Sequence, residues 1–340
     1  MIRTLMRATP HSRAAGALYG LALGDALGMP TQMLSREQIT ARYGPVLTGF
    51  HPAPADHPLA AGMPAGSVTD DTEQALLLAE LLVDGAGSID AAELGRRLEA
   101  WEQDMRARGS LDLLGPSTKL AIERALAGVP LGQVGRQGTT NGAAMRIAPV
   151  GIAVPSADPV ALVDRVVQAS MLTHNTGVAL AGASAVAAAV SAGIDGATVP
   201  EAVDAAVTAA RLGARRGVWV AAADVAERIV WATGLVGGLP EAEACERVSL
   251  LVGTSLATQE SVPAAFALLT LGDADPWRAV LLAASVGGDC DTIAAIAGAI
   301  AGACHGLDAF PADARATVAK VNNLDLDSVA DRLLALRERA

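Results

Sequence analysis

The stretch GALYGLALGDALG, residues 16–28, places a glycine at every fourth position of an apolar run. In a helix, Gly16, Gly20 and Gly24 lie on one face because they are four residues apart. That face has no side chains, so another backbone can approach it. Asp25 follows near the expected end of this helix, where the helix dipole disfavours a carboxylate by roughly 0.3–1 kcal/mol. Two roles are open for Asp25: a turn aspartate that caps the next segment, or a functional carboxylate.

The composition of the whole chain favours the same kind of structure. Of its 340 residues, 51% are apolar and only 3% are aromatic, and alanine and glycine dominate. Alanine is the best helix former, and small side chains let helices pack closely. Runs that alternate with period two, as strands require, are sparse. We therefore predict an all-α protein, a single domain over residues 1–340 built as a compact orthogonal bundle of many helices.

Helical patterns recur along the chain. They predict helices within 72–85, 91–109, 158–175, 199–217 and 219–234, and a terminal pair within 313–340. Proline, glycine and histidine concentrate at 43–66, which predicts a long loop. The apolar run 176–194 is long enough to span a membrane. It consists of Ala, Gly and Ser rather than Leu, Ile and Phe, so we expect a buried core helix there.

Charge and cysteine content narrow the class of protein. The formal net charge of -11 makes nucleic acid a poor partner, because phosphate contacts need Lys and Arg. The three cysteines, Cys245, Cys290 and Cys304, have no paired or zinc-binding spacing, which indicates a reducing compartment. We expect a cytoplasmic monomer that binds neither nucleic acid nor a membrane.

Two segments place acidic pairs directly before apolar helices. SVTDDTEQALLL (67–78) contains Asp70 and Asp71, and SVGGDCDTIAAIAGAI (285–300) contains Asp289 and Asp291. Each pair alone fits a helix N-cap, where one aspartate would suffice. Neighbouring carboxylates repel one another unless a cation lies between them, and Asp and Thr oxygens suit Mg²⁺ or Mn²⁺. The two segments together predict one shared binuclear metal site.

Two further segments are weaker signals. The polar loop Gly138–Gly142, within GRQGTTNGAAMRIAPVG (135–151), can offer backbone N–H groups to a phosphate, or it can be an ordinary N-cap. His174, in MLTHNTG (171–177), is functional only if it faces the same cleft.

The ordered motifs GALYGLALGDALG, TDDT, NGAAMR, LTH and GGDCDT resemble the ADP-ribosylglycohydrolase family. This family includes the dinitrogenase-reductase-activating glycohydrolases and the ADP-ribosyl-acceptor hydrolases. Each motif is weak alone, but the ordered set is specific, and it spans about residues 13 to 306. The resemblance implies an all-α fold with a central cleft that holds two divalent cations, Mg²⁺ or Mn²⁺.

The resemblance also assigns roles to individual residues. The implied metal ligands are Thr69, Asp70, Asp71, Asp289, Asp291 and Thr292. The implied substrate-binding residues are Gly138, Thr139, Thr140, Asn141 and Gly142 at the phosphates, and His174 near the distal ribose or phosphate. The residues we expect to take part in catalysis are Asp25, Gln32, Asp70, Asp71 and Asp289.

The chain departs from the family pattern at Gln32. Many members place a glutamate seven residues after the aspartate of GDALG, whereas this chain has Gln32. Glutamine cannot ionise or accept a proton in the same way. The leading hypothesis is a metal-dependent hydrolase of a ribosyl C1 bond, N-glycosidic, in an ADP-ribosylated or related substrate. The alternatives are a nucleosidase, which the missing acid favours, an ADP-ribose-binding protein without turnover, and a metal-dependent phosphoesterase.

Overall fold

The computed structural model describes residues 8–110 and 114–339, and over these residues the prediction of an all-α protein is confirmed. This part of the chain has no β-strand and only two isolated β-bridges. The helices are α1 (Pro10–Gly28), α2 (Arg36–Tyr43), α3 (Asp70–Asp84), α4 (Ala91–Ala107), α5 (Pro116–Leu126), α6 (Leu131–Val134), α7 (Gly142–Met145), α8 (Ala148–Ala153), α9 (Pro159–Ser170), α10 (Gly177–Ile194), α11 (Val199–Gly213), α12 (Val225–Val236), α13 (Glu241–Arg247), α14 (Thr258–Leu271), α15 (Pro276–Ala283), α16 (Cys290–His305), α17 (Ala312–Asn322) and α18 (Leu326–Arg337), with a π-helix at Val248–Val252 and a 3-10 helix at Leu307–Ala309.

Helices α1 and α16 pack against each other along their whole length. The close approach predicted for the glycine face is confirmed, because a Cβ added at Gly16 would lie 2.6 Å from the carbonyl oxygen of Gly302. A Cβ added at Gly20 would overlap the carbonyl oxygen of Gly298. At the far end, a Cβ on Gly28 would overlap the backbone of Asp291. The missing side chains therefore set the start of α16 beside the end of α1.

Helix α10 is enclosed by other helices. Every residue from Gly177 to Ile194 is buried, and α10 packs against α8, α9, α11 and α16. Within the described residues it is the one helix long and apolar enough to cross a membrane, and all of it lies inside the protein. The predicted buried core helix is thus confirmed. Most buried apolar side chains belong to one cluster that includes α10, α14 and the α1–α16 pair.

Most predicted helices agree with the structure to within a few residues, although Ala340 lies outside the described residues. No helix lies between α2 and α3, as expected for the loop at 43–66. Helix α9 ends at Ser170 rather than near residue 175, because the N–H of Asn175 bonds to the carbonyl of Gly135 (2.8 Å) and the chain turns. Helix α12 begins after Asp224 rather than at 219, because the Asp224 carboxylate caps it by accepting from the N–H of Glu227 (3.0 Å).

Candidate active site

Asp25 connects the end of α1 to the start of α3. Its buried carboxylate accepts hydrogen bonds from the N–H and hydroxyl of Thr69 (3.0 and 2.7 Å) and from the N–H of Thr72 (3.1 Å). The hydroxyl of Thr72 is a further donor. Because the first N–H groups of a helix lack partners within it, Asp25 serves as a cap that α1 supplies to α3. Asp25 therefore stabilises the acidic first turn of α3 from within the protein.

Two glycines in the left-handed region precede α16. Gly287 and Gly288 have φ angles of +90° and +72°, which side chains rarely adopt. The turn they form lets the N–H of Asp289 donate to the carbonyl of Thr254 (2.7 Å). It places Asp289 at the N-cap of α16 and Asp291 in its first turn.

The two acidic helix starts meet. The hydroxyl of Thr292 in α16 donates to Oδ2 of Asp71 in α3 (3.2 Å). The side-chain amide of Asn141, from the polar loop, donates to Oδ2 of Asp289. The fold thus brings together three segments that lie far apart in the sequence.

A cleft of about 240 Å³ opens where these segments meet. Among the residues named from the sequence, its walls contain Gln32, Asp70, Thr140, Asn141, Gly142, Asp289, Asp291 and Thr292. Further lining residues include Met33, Leu59, Leu114, Thr118, Lys119, Met145 and Leu256. Acidic side chains and the polar loop therefore share this cleft, and they touch where Asn141 donates to Asp289.

The remaining residues named from the sequence lie behind these walls. Thr69 and Asp71 are buried in the first turn of α3. Gly138 is buried, and the carbonyl of Thr139 accepts from the hydroxyl of Thr258 (2.9 Å), which ties the loop to α14. These residues shape the site from below its surface.

His174 lies beneath the polar loop and is absent from the cleft surface. Its ring is fully buried, with Nδ1 2.7 Å from the hydroxyl of Thr173 and Nε2 3.0 Å from that of Thr140. A Cβ on Gly142 would lie 3.0 Å from the ring. His174 therefore supports the underside of the polar loop. Its place near a ribose or phosphate stays a prediction, and the residue that lies between the ring and the cleft is Thr140.

Burial and repulsion raise the pKa values of the aspartates. Burial raises the pKa of Asp25 and that of Asp289 to about 6, although hydrogen-bond donors act in the opposite direction. Burial, followed by the charges of Asp70 and Asp291, raises the pKa of Asp71 well above its usual value. Clustered carboxylates in a poorly solvated site favour uptake of a proton or a cation.

The chemistry of these side chains suits a hard divalent cation. Carboxylate and hydroxyl oxygens are the ligands that Mg²⁺ and Mn²⁺ prefer, and Oδ1 of Asp71 is buried without a hydrogen-bond partner. No group of three or more His, Cys, Asp or Glu side chains in the described ranges converges closely enough to hold an ion. The carboxylates instead accept hydrogen bonds, for example from Gln74 to Asp70 (2.9 Å). The residues thus fit a cation by donor type, and the binuclear site stays a prediction.

Sequence reasoning missed three residues of the site. Lys119 adds a positive charge to the cleft wall. Gln74 holds Asp70, and the buried Arg146 donates to Oε1 of Gln74 (3.0 Å). Arg146 is the one charged residue in the apolar run 142–157. A buried arginine is rare unless it is paired, so a single arginine inside an apolar run indicates a functional or structural partner.

A family model matches the chain over almost its whole length. It is the model described as ADP-ribosylglycohydrolase, and it matches residues 6–340. The chain belongs to the ADP-ribosylglycohydrolase family. The resemblance seen in the ordered motifs is thereby confirmed. Membership makes this protein a hydrolase of the glycosidase class, from a family that cleaves ADP-ribosyl linkages.

Individual relatives agree with this assignment. The chain is 38% identical over 328 residues to the Escherichia coli (strain K12) protein named "Uncharacterized protein YegU", which covers 96% of this chain and 98% of that one. It is 28% identical over 325 residues to bovine (Bos taurus) ADP-ribosylhydrolase ARH3, with 88% and 87% covered. It is 30% identical over 170 residues to ADP-ribosyl-[dinitrogen reductase] glycohydrolase of Rhodospirillum rubrum, with 48% and 52% covered. A solved "ADP-ribosylglycohydrolase-related protein complex" superposes with a TM-score of 0.67 at 25% identity, over 96% of this chain and 98% of that chain.

Proposed function

We propose that this family member hydrolyses the N-glycosidic bond at C1 of a ribosyl group, in an ADP-ribosylated or closely related substrate. The observation that carries the proposal is the shared cleft, which the acidic starts of α3 and α16 line together with the polar loop. In the reaction the oxygen of water bonds to C1 and the C1–N bond breaks. The nitrogen leaves with the bond's electron pair and takes up a proton.

Two divalent cations, Mg²⁺ or Mn²⁺, are part of the proposal. The residues that would hold them are Thr69, Asp70, Asp71, Asp289, Asp291 and Thr292, and the unpartnered Oδ1 of Asp71 supports this set. Bound there, such cations would lower the pKa of a water ligand and orient ribose hydroxyls.

The side chains at the cleft surface have separate tasks in this proposal. One carboxylate of the pair Asp70 and Asp289 accepts the proton of the attacking water, and both stabilise the positive charge that develops at C1. Asn141 holds Asp289 towards the polar loop. Also in the cleft lining, Thr140 and Lys119 supply a hydroxyl and a positive charge for phosphate oxygens.

Gln32 favours a second candidate function, a nucleosidase that acts on a small nucleoside or nucleotide. Its side chain lines the cleft and is 4% exposed, and its Nε2 is buried without a hydrogen-bond partner. An amide donor suits a leaving group with acceptor atoms, such as the carbonyl oxygens and ring nitrogens of a nucleobase.

The product of the reaction distinguishes these functions. The assay incubates the protein and Mg²⁺ with ADP-ribosyl-arginine, with an ADP-ribosyl-serine peptide and with nucleosides, and identifies the products. Release of ADP-ribose supports the first proposal, and release of free ribose from a nucleoside supports the second. Phosphate as the sole product contradicts both and indicates a phosphoesterase.

The same proposal places the enzyme in the cytoplasm as a monomer. Cys245, Cys290 and Cys304 are all free and buried thiols, which supports a reducing compartment. Sedimentation of the purified protein tests the monomer, and a dimer at micromolar concentration would contradict it.

A further inference from the structure

A buried chain of hydrogen bonds runs from the acidic wall of the cleft to the polar loop. Oδ2 of Asp70 accepts from Nε2 of Gln74 (2.9 Å), and Oε1 of Gln74 accepts from Arg146 (3.0 Å). The second terminal nitrogen of Arg146 donates to the hydroxyl oxygen of Thr173 (2.7 Å). Thr173 contacts His174, which lies under the loop. Asp70 and the polar loop are thus linked through the protein interior.

Arg146 sets the direction of the bonds in this chain, because a guanidinium can only donate. Gln74 must turn its carbonyl oxygen to Arg146, which leaves its NH₂ group for Asp70. Thr173 accepts from Arg146, so its one hydroxyl proton is available to Nδ1 of His174 (2.7 Å). One residue therefore orients both branches.

The tautomer of His174 follows from the bond at the other end, because the hydroxyl of Thr140 donates to Ser117 and its oxygen is left to accept from the ring. With Nδ1 as an acceptor, the neutral ring carries its hydrogen on Nε2 and donates to the hydroxyl oxygen of Thr140 (3.0 Å). The hydroxyl of Thr140 then donates to the hydroxyl of Ser117 (2.9 Å). Full burial, together with the guanidinium of Arg146, holds the pKa of His174 well below its usual value, so the ring is neutral.

We propose that Arg146 is a positioning residue for two residues of the cleft lining: through Gln74 it holds Asp70, and through Thr173 and His174 it orients Thr140. The inference rests on the proposed function, because Asp70 and Thr140 face the same cleft. Arg146 is 1% exposed, and its Nε is buried without a hydrogen-bond partner. A buried charge so incompletely satisfied is destabilising, and an apolar residue of similar size would avoid that cost. Its presence is explained by what it orients.

Kinetic measurements on variants test this proposal. Each variant removes the hydrogen bonds of one branch, either the branch through Gln74 or the branch through Thr173. Thr173→Val keeps the shape of the side chain and removes the link to His174, so we expect KM to rise about tenfold with little change in kcat. Gln74→Leu removes the bond from Gln74 to Asp70, so kcat should fall by up to about a hundredfold with little change in KM. Arg146→Lys should show both effects. Thr270→Val is the control, because its hydroxyl bonds to the carbonyl of Phe266 in its own helix (2.9 Å). Both ADP-ribosyl-arginine and uridine serve as substrates.

Nitrogen NMR of the imidazole tests the bond directions without any need for activity. Wild-type protein should show a protonated Nε2 and an unprotonated Nδ1 at His174, and Thr173→Val should show a mixture of tautomers. A protonated Nδ1 in an active wild type would overturn the positioning role alone, as would kinetics of both branch variants that match the Thr270→Val control. A wild type that turns over neither substrate but shows the Nε2 tautomer would overturn the proposed function while supporting the assigned bond directions.

Discussion

Gln32 stands where the family resemblance leads us to expect an acid, and its surroundings fix its backbone firmly. Its N–H donates to the carbonyl of Gly28 (2.8 Å), and its carbonyl accepts from Nε2 of His57 (3.0 Å). Nδ1 of His57 accepts from the N–H of Ala60 (2.9 Å), which leaves Nε2 as the donor. These bonds use only the backbone of Gln32, so its side-chain amide is available to contact a substrate in the cleft. The residue at this position therefore influences which leaving group the cleft accepts.

We predict that Gln32→Glu increases hydrolysis of ADP-ribosyl-arginine or ADP-ribosyl-serine and decreases hydrolysis of nucleosides. A positioned acid or base contributes about a hundredfold to ten-thousandfold, and the carboxylate replaces a donor that suits a nucleobase. Product release from both substrate classes is compared in wild type and variant. Gln168→Glu, on α9 and distant from the cleft, is the matched control. Equal rates for wild type and Gln32→Glu on every substrate would place this role elsewhere.

The sequence was sufficient to find Asp70, Asp289 and Asn141, because acidic pairs and polar loops before apolar helices are unusual. It did not predict which groups His174 and Asp25 contact. Their roles depend on partners that only the fold brings near, which are Thr140 for His174 and the first turn of α3 for Asp25. Residue type alone cannot distinguish a side chain at the cleft surface from one just beneath it.

At the scale of helices, the glycine face of α1 was predicted but its partner was not. The partner is the stripe of Ala294, Gly298 and Gly302 on α16, which has the same spacing of four residues. The sequence contains other stripes of small residues, for example in α10, so spacing alone cannot select the pair. The pairing has a functional result, because it sets Asp291 beside the end of α1.

Gly20→Ala should destabilise the protein strongly. The new methyl group would overlap the carbonyl oxygen of Gly298, and backbone cannot move aside as a flexible side chain can. Overpacking of this kind costs roughly 1–3 kcal/mol, and occasionally more. The measurement is the free energy of unfolding by chemical denaturation.

Gly234→Ala is the matched control for that substitution. Gly234 lies in α12, is exposed, and has nothing within 4 Å of an added Cβ. Alanine there should stabilise the helix by about 0.5–1 kcal/mol. A free energy of unfolding for Gly20→Ala equal to that of wild type would contradict the direct backbone contact between α1 and α16.

At the scale of the whole molecule, the acidic cleft makes stability depend on cations and pH. The pKa values of Asp25 and Asp289 rise to about 6 from the usual 3.8. For an acid with a raised pKa, the contribution to stability is fully present below about pH 4 and is lost as pH rises through about 6. Without cations the folded protein therefore carries repelling carboxylates at neutral pH.

Chelation should accordingly lower the melting temperature, and by more at pH 8 than at pH 5. Added Mg²⁺ or Mn²⁺ should restore the melting temperature. At a hundredfold excess over the dissociation constant, the cation should add about 2.7 kcal/mol to the free energy of unfolding. Ca²⁺-free buffers with and without chelator are compared by thermal unfolding at both pH values. Identical melting curves at both would exclude a cation that links α3 to α16.

The most direct measurement of the shared site is product release by wild type, Asp70→Asn and Asp289→Asn in saturating Mg²⁺. Each substitution keeps the size of the side chain and removes one charge from a different helix start. Asp84→Asn is the control, since Asp84 ends α3 in an exposed ion pair with Arg97 (2.7 Å). We predict that wild type and control release the same ribosyl product, and that Asp70→Asn and Asp289→Asn stay folded but lose activity by orders of magnitude. Full activity in both of these variants would contradict the claim that the two acidic helix starts form one hydrolytic site.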